Sequence, residues 1–424
     1  MTRHESGRSG RPRKVRILHP ETAAIVEGYD PELSVMAARP PIYTVSTYCF
    51  KTAAEAKRFF DIALGRVEAP PGGPSELIYA RLNNPNAEMF EDLMVPLERG
   101  AARAASFSSG MAAITTSLLT FLRPGDSVLY TRPIYGGTDH VLNHLLAPLG
   151  IRARAAEAGS VESIRSEADG LGESLAMIYV ETPANPTLRI TDIAAVARLA
   201  GRQRERGKVL VAVDNTFLGP VFQSPLDHGA DLVLYSATKY IGGHSDLVAG
   251  VALAREPELI ERIKTVRSFF GTICEPFTAW LLQRSLATIY TRTIKQSKNA
   301  ARIVGRLAGH PKILAIHYPT LLEGEQQRIY KSQCHAPGGM IALELRGGEA
   351  AAFRFLDSLR IAKLAVSLGS VETLATHPKT TTSSEMDPEE LALAGISDGL
   401  VRISVGVEYW RDLADDLEQA LEKS

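Results

Sequence analysis

The sequence predicts an α/β protein, in which a largely parallel sheet carries helices on both faces and a smaller α+β domain follows. Three observations lead there. Between about Asn84 and Gly250, short runs rich in Val, Leu and Ile, bounded by Gly, Asp and Pro, alternate with stretches of helical periodicity; buried parallel strands joined by helices read this way. The chain has 424 residues, 45% of them hydrophobic and 22% charged, enough for a large core shared among two or three domains. No repeat with a period of about 20 to 50 residues is present, which excludes solenoids and propellers.

Taken in chain order, Met1–Arg16 is a basic tail carrying Arg3, Arg8, Arg11, Arg13, Lys14 and Arg16. No apolar stretch follows its charges, as a signal peptide would require. With no aromatic residue between the charges, it reads as a solvated tail rather than a nucleic-acid arm. Pro31, Pro40, Pro41, Pro70, Pro71 and Pro74 punctuate an extended arm, with one helix near Thr52 to Leu64 and a loop over Pro70–Pro74. Helices are expected at Glu88 to Val95, Gly110 to Leu122 and Ile193 to Arg206. Strands are expected at Ser127 to Tyr130, Leu175 to Val180, Val209 to Val213 and Leu232 to Tyr235. A helical stretch over Cys274 to Leu307 leads to strands at Met340 to Leu345 and Val401 to Val405, and Leu413 to Glu422 forms a closing amphipathic helix. The expected division is a basic tail and arm over 1–80, a large cofactor-binding domain over 81–284 and a C-terminal α+β domain over 285–424.

Composition narrows the function. A net charge of −1, from 47 basic against 48 acidic residues, argues against a nucleic-acid or membrane-surface binder. No apolar run approaches the roughly 18 residues of a spanning helix. Cys49, Cys274 and Cys334 are far apart, which excludes a disulfide scaffold and suits the cytoplasm. No metal is expected: only His140 and His144 could share a helix face, with no Glu between them as HExxH requires.

In open α/β sheets, sites lie at the carboxyl ends of strands. Three such ends carry Glu181 to Pro186, Asp214–Asn215–Thr216 and Ser236–Ala237–Thr238–Lys239. An acid, a lysine and an amide placed in this way suit pyridoxal phosphate, which needs a covalent amine and an acidic partner for its ring nitrogen. Ser108–Ser109–Gly110–Met111 opens a helix with small residues, a place for a phosphate at a helix N-terminus. Taken singly, each of these is more often a strand edge, a cap or a turn; their joint occurrence in this order carries the argument.

At these residues the chain resembles the Cys/Met-metabolism enzymes of fold-type I, the trans-sulfuration group that depends on pyridoxal 5'-phosphate. The matching stretches are PPIYTVSTY from Pro40, YARLNNPN from Tyr79, SSGMAAI from Ser108 and YGGT from Tyr135. ETPANPT from Glu181, VAVDNT from Val211, YSATKYIGGHSDLVAG from Tyr235, SLGSVETLATHP from Ser367 and VRISVGVE from Val401 complete them. The resemblance implies a mainly parallel, seven-stranded type of sheet in the large domain. It implies that Lys239 holds the cofactor and serves as the mobile base, that Asp214 pairs with its ring nitrogen, and that Tyr135 stacks on the ring and protonates the leaving group. Gly110, Met111, Ser236 and Thr238 would hold the phosphate, and Asn185 the ring hydroxyl. Tyr79 and Arg81 would reach the phosphate of a neighbouring subunit, giving a homodimer with shared sites that pairs into a tetramer. Arg402 would grip the carboxylate of an amino-acid substrate, with Ser367 nearby.

Members of the family eliminate or replace a γ-substituent with this same residue set. Ile78 and Val366 stand where cystathionine γ-lyases tend to carry acids. That apolar pattern resembles methionine γ-lyase, because a buried distal ammonium would lack a partner there. The expected activity is γ-elimination to 2-oxobutanoate, ammonia and a thiol, with γ-replacement as the alternative. Gly137, His140 and Thr382–Ser383 depart from the family pattern, and Asp139, His140 and Glu372 are candidates to address a polar distal group.

Overall fold

Seven strands form the larger sheet: β1 (Arg103–Phe107), β2 (Ser127–Arg132), β3 (Arg152–Glu157), β4 (Leu175–Glu181), β5 (Leu210–Asp214), β6 (Leu232–Ser236) and β7 (Gly250–Ala254). They lie in the order β1-β7-β6-β5-β4-β2-β3. β2 to β6 pair in parallel, and β7 runs antiparallel to both of its neighbours. The computed structural model describes residues 18–68, 77–203 and 209–424. The basic tail Met1–Arg16, the Pro70–Pro74 loop and the end of the helix expected to reach Arg206 lie outside the described residues.

Side-chain alternation explains why the central strands are apolar throughout. On β5, Val211 and Val213 join one face's core with Val233 and Tyr235, while Leu210 and Ala212 join the other face's core with Leu232 and Leu234. A strand covered on both sides has no polar face to display. β2, β4, β5 and β6 fall where expected; β1, β3 and β7 were not anticipated. β1 and β7 are built mainly of Ala, Gly and Ser, and the edge strand β3 has the sequence RARAAE, so none presents a run of large apolar residues.

The second sheet, in order β10-β11-β12-β9-β8, comprises β8 (Ile313–His317), β9 (Met340–Leu345), β10 (Lys363–Leu364), β11 (Leu374–Thr376) and β12 (Leu400–Ser404). Its core takes Leu413, Ala414, Leu417, Ala420 and Leu421 from the closing helix Trp410–Lys423, the i, i+3, i+4 stripe of an amphipathic helix. The stretch over Cys274 to Leu307 is two helices, Pro276–Leu286 and Ile289–Leu307. The division expected after residue 284 falls near the end of the first of these. No helix among the described residues is long and apolar enough to cross a membrane.

A buried clamp fixes β1, the outer strand that leads into the helix Gly110–Phe121. The helix Pro85–Met94, capped by the Asn84 side chain on the Asn86 N–H, buries Glu91. Its carboxylate accepts from the N–H and Oγ of Ser106 on β1, both at 2.8 Å. It also meets Arg267 at 2.7 Å and Lys264 at 2.6 Å, both on the helix Pro257–Phe270. Two cations and two hydrogen bonds outweigh the desolvation of the carboxylate, and its pKa is lowered to about 2.

Candidate active site

Because β4, β5 and β6 are adjacent and parallel, their carboxyl ends deliver Glu181, Asp214 and Ser236 to one edge, with Glu181 and Asp214 directly opposite in register. The chain then turns, Lys239 N–H donating to the Ser236 carbonyl at 3.1 Å. A cavity of about 600 Å³ opens over this edge. Tyr135, Gly110, Met111, Asn185, Asp214, Ser236, Thr238, Lys239, Val366, Ser367 and Arg402 all line it. Arg402 comes from β12, so the second sheet closes the site built by the first.

The ionisable groups are strongly perturbed by their surroundings. Burial, reinforced by the charge of Arg402, pushes the Lys239 ammonium down to about 8, so a substantial neutral fraction exists at mildly alkaline pH. Its Nζ donates to Ser367 Oγ at 2.9 Å. Burial also draws Arg402 down to about 10, against the pull of Glu181; Nη1 donates to Asn185 Oδ1 at 3.0 Å and Nη2 to the Ser367 carbonyl at 3.2 Å. Asp214 is raised by burial, opposed by its bonds to Thr216 and Tyr179. Glu181 is raised to about 8 by burial and then by the neighbouring Asp214.

These residues fit pyridoxal 5'-phosphate. Buried Asp214, facing a second carboxyl group, is short of a positive partner, which a protonated ring nitrogen would supply. Lys239 is poised as a covalent attachment point. At the phosphate end, Ser109 caps the helix Gly110–Phe121, its Oγ accepting the Ala112 N–H at 2.9 Å, and the N–H groups of Gly110 and Met111 have no intrahelical acceptor. A Cβ on Gly110 would lie 2.7 Å from Ser236 Cβ, so the glycine lets the helix N-terminus and the end of β6 form one cradle. Thr238 lies beside it, its hydroxyl bonded to the Ala249 backbone.

Three predicted residues lie away from this chain's cavity. Ile78 is buried in the arm, and Tyr79 is 42% exposed. Arg81 packs over the Tyr79 ring and donates to the Ser268 carbonyl. Among the polar candidates, Asp139 faces the cavity but is occupied by Arg132, Tyr130 and Asn143, and Glu372 accepts from Ser370 Oγ at 2.6 Å, outside the lining. His140 does line the cavity, with its Nδ1 3.1 Å from Glu385 Oε2. Gly137 also has a steric meaning, since a Cβ there would meet Tyr135 Cε1 at 2.7 Å; the tyrosine ring occupies space that a side chain would need.

Two further parts of the site are Glu181 and the segment Thr381–Met386, which forms the wall facing His140 and of which only Thr382–Ser383 stands out in the sequence. Glu181 had a visible signal, as an acid ending an apolar strand beside Asn185. Glu385 had none, because its partner is far away in the chain.

Known proteins resemble this chain over most of its length. The family described as Cys/Met metabolism PLP-dependent enzyme matches residues 21–422. An L-methionine gamma-lyase of Pseudomonas putida is 39% identical over 405 residues, covering 95% of this chain and 97% of that protein. A cystathionine gamma-lyase of Bacillus subtilis is 38% identical over 386 residues, 91% of this chain and 94% of that protein. Among solved structures, the cystathionine gamma synthase of Xanthomonas oryzae pv. oryzae, in complex with aminoacrylate and cysteine, superimposes with a TM-score of 0.86 at 36% identity, covering 95% and 98% of the two chains.

Proposed function

The chain belongs to the Cys/Met-metabolism family of pyridoxal phosphate-dependent enzymes, and on that premise we propose that it is a lyase of the methionine γ-lyase type. It cleaves a γ-substituted L-amino acid by γ-elimination followed by hydrolysis, consuming one water and releasing 2-oxobutanoate, ammonia and the γ-substituent, a thiol when the bond is carbon–sulfur. The observation that carries this reading is the set of Lys239, Asp214, Tyr135 and Arg402 around one cavity whose wall includes the apolar Val366.

The bound cofactor supplies an electron sink for carbanionic charge at the substrate's Cα and Cβ. The residues do the rest. Arg402 binds the α-carboxylate, its planar fork matching the two oxygens. Asp214 keeps a proton on the cofactor's ring nitrogen. Lys239 Nζ, neutral in a substantial fraction at mildly alkaline pH because burial lowers its pKa to about 8, would take the Cα proton, return it to the conjugated system that substrate and cofactor form together, and, neutral again, take a Cβ proton. The Tyr135 hydroxyl delivers a proton to the departing γ-atom. Val366 leaves a distal ammonium without a counter-charge and accommodates a thioether.

Gly110, Met111, Ser236 and Thr238 serve the phosphate in this reading, and Asn185 the ring hydroxyl. Tyr79 and Arg81, with Ile78 before them, serve the site of a second subunit; the exposed Tyr79 and the apolar arm residues Ile42, Val45 and Phe60 support a homodimer, pairing into a tetramer. We place the enzyme in the cytoplasm and divide it into an arm to residue 80, a cofactor domain over 81–284 and a C-terminal domain over 285–424. The polar pair His140–Glu385 on the cavity wall favours a second reading, γ-replacement with an incoming amino-acid thiol.

The deciding experiment offers the purified holoenzyme methionine, cystathionine, homocysteine and O-acyl homoserines, each with and without an added thiol, and follows products by mass spectrometry. Formation of 2-oxobutanoate from methionine without thiol is the expected result. Consumption of acyl homoserine only when thiol is present would replace the proposal with the synthase reading.

A further inference from the structure

Glu181 lies on the cavity wall at 4% exposure, and the reaction outlined above gives it no task. Its two oxygens point to different pieces of chain. Oε2 accepts the backbone N–H of Tyr135 at 2.9 Å, and Oε1 accepts the backbone N–H of Asn185 at 2.9 Å. Asn185 Oδ1 in turn accepts from Arg402, Arg402 donates to the Ser367 carbonyl, and Ser367 Oγ accepts from Lys239. A continuous bonded path therefore runs from the backbone of the ring-facing tyrosine, through Glu181, to the guanidinium that receives the substrate carboxylate and on to the lysine.

The environment makes this carboxyl group an improbable accident of packing. A buried acid is costly unless its hydrogen bonds and charge are matched, and this one stands directly opposite Asp214 in the sheet register. The titratable and charged groups facing it are Asp214 on β5, Tyr179 on β4 itself and Arg402 on β12. Arg402 is the cation among them, and it is also the substrate's carboxylate receptor.

We propose that Glu181 is a positioning residue, which aligns the carboxylate grip of Arg402, through Asn185, with the Tyr135 side of the cavity. The proposal rests on the reading of Arg402 given under the proposed function. It does not require that γ-elimination be the reaction, because it concerns how an α-amino acid is held.

The test compares wild type with Glu181→Gln as cofactor-loaded proteins. Glutamine keeps the shape and can accept from one of the two N–H groups, but presents an NH2 to the other. Binding of two unreactive ligands is followed through the visible spectrum of the bound cofactor: L-norleucine, a methionine isostere with no leaving group, and pentylamine, which carries the same side chain and amine without the carboxylate. The Kd for norleucine should rise about tenfold or more, while that for pentylamine changes less than about twofold. Equal weakening of both ligands, or of neither, would overturn the proposal, because a merely structural role cannot single out the carboxylate. Should the glutamine variant not accumulate with cofactor bound, Glu181→Asp, which keeps the carboxyl group and shortens its reach, reads the same ratio. Lys239→Ala with the substrate panel addresses the functional reading separately: retained turnover there would discredit the reaction and leave the ligand comparison standing.

Discussion

Replacing Glu91 by Gln should cost about 3 kcal/mol of stability at neutral pH. The figure follows from the clamp. The carboxyl group has an ordinary pKa of 4.5 and is lowered to about 2 in the folded chain. That difference of roughly 2.5 units, at about 1.4 kcal/mol per unit, gives about 3 kcal/mol. An independent estimate agrees, since removing one partner of a buried ion pair typically costs about 3–5 kcal/mol; here it leaves Arg267 and Lys264 facing an amide. The sign in pH is fixed by the depressed folded value. The contribution is complete above the unfolded pKa and is lost as pH falls toward about 2, by about 1 kcal/mol at pH 4 and about 2 kcal/mol at pH 3. The assay is denaturant unfolding of wild type and variant holoenzyme at equal protein concentration, repeated at several pH values. The gap between them should narrow on acidification. A gap below about 1 kcal/mol at pH 7, or one unchanged between pH 6 and pH 3, would refute the electrostatic account of the clamp.

Other expectations concern the site itself. Tyr135→Phe should lower kcat by roughly 10²-fold or more through loss of the proton donor, with cofactor content unchanged; steady-state kinetics giving a near-normal kcat would remove Tyr135 from proton transfer. Gly369→Ala places a Cβ 2.6 Å from the Tyr240 nitrogen and 3.0 Å from the Lys239 carbonyl carbon at a φ of +78°. Left-handed strain and overpacking together amount to about 2–5 kcal/mol, so melting temperature and cofactor content should both fall, and a variant unchanged in both would contradict the close approach. Val366→Glu should raise kcat/KM for cystathionine relative to methionine by about tenfold or more; an unchanged ratio would show that this wall does not select the distal group.

How far the sequence disclosed the site depended on how local each signal was. Asp214, Lys239 and Asn185 each follow a strand whose burial on both faces forces a conspicuous apolar run, so strand end and functional residue are read together. β1 and β7 escaped because Ala, Gly and Ser fill them where the helix Gly110–Phe121 packs closely, and β3 escaped because an edge strand shows charge to solvent. Glu181 was visible as a strand-ending acid, but its task lies in a bond to the backbone of Tyr135, 46 residues earlier. The contact of Glu385 with His140 spans the two sheets' territories. Ile78 is a pocket candidate only through the family position it fills, where cystathionine γ-lyases tend to carry an acid, and burial within its own chain's arm is no signal of that place.

The two sides of the cavity differ in their freedom to change. Asp214 and Glu181 end neighbouring strands, and the turn that carries Lys239 starts where the third strand stops. Their spacing is set by a hydrogen-bond ladder of about 4.8 Å per strand, and none can move without dragging its neighbours. The opposite wall is the short helix Gly136–His140 and the surface segment Thr381–Met386, which meet through His140 and Glu385. Segments of that kind accept substitution and insertion far more readily than a sheet centre does. Reactivity and choice of leaving group thus reside in parts of the chain with unequal mutational tolerance. A laboratory library confined to His140, His144 and residues 381–386 would explore new γ-substituents while Lys239 and Asp214 stay where the sheet puts them.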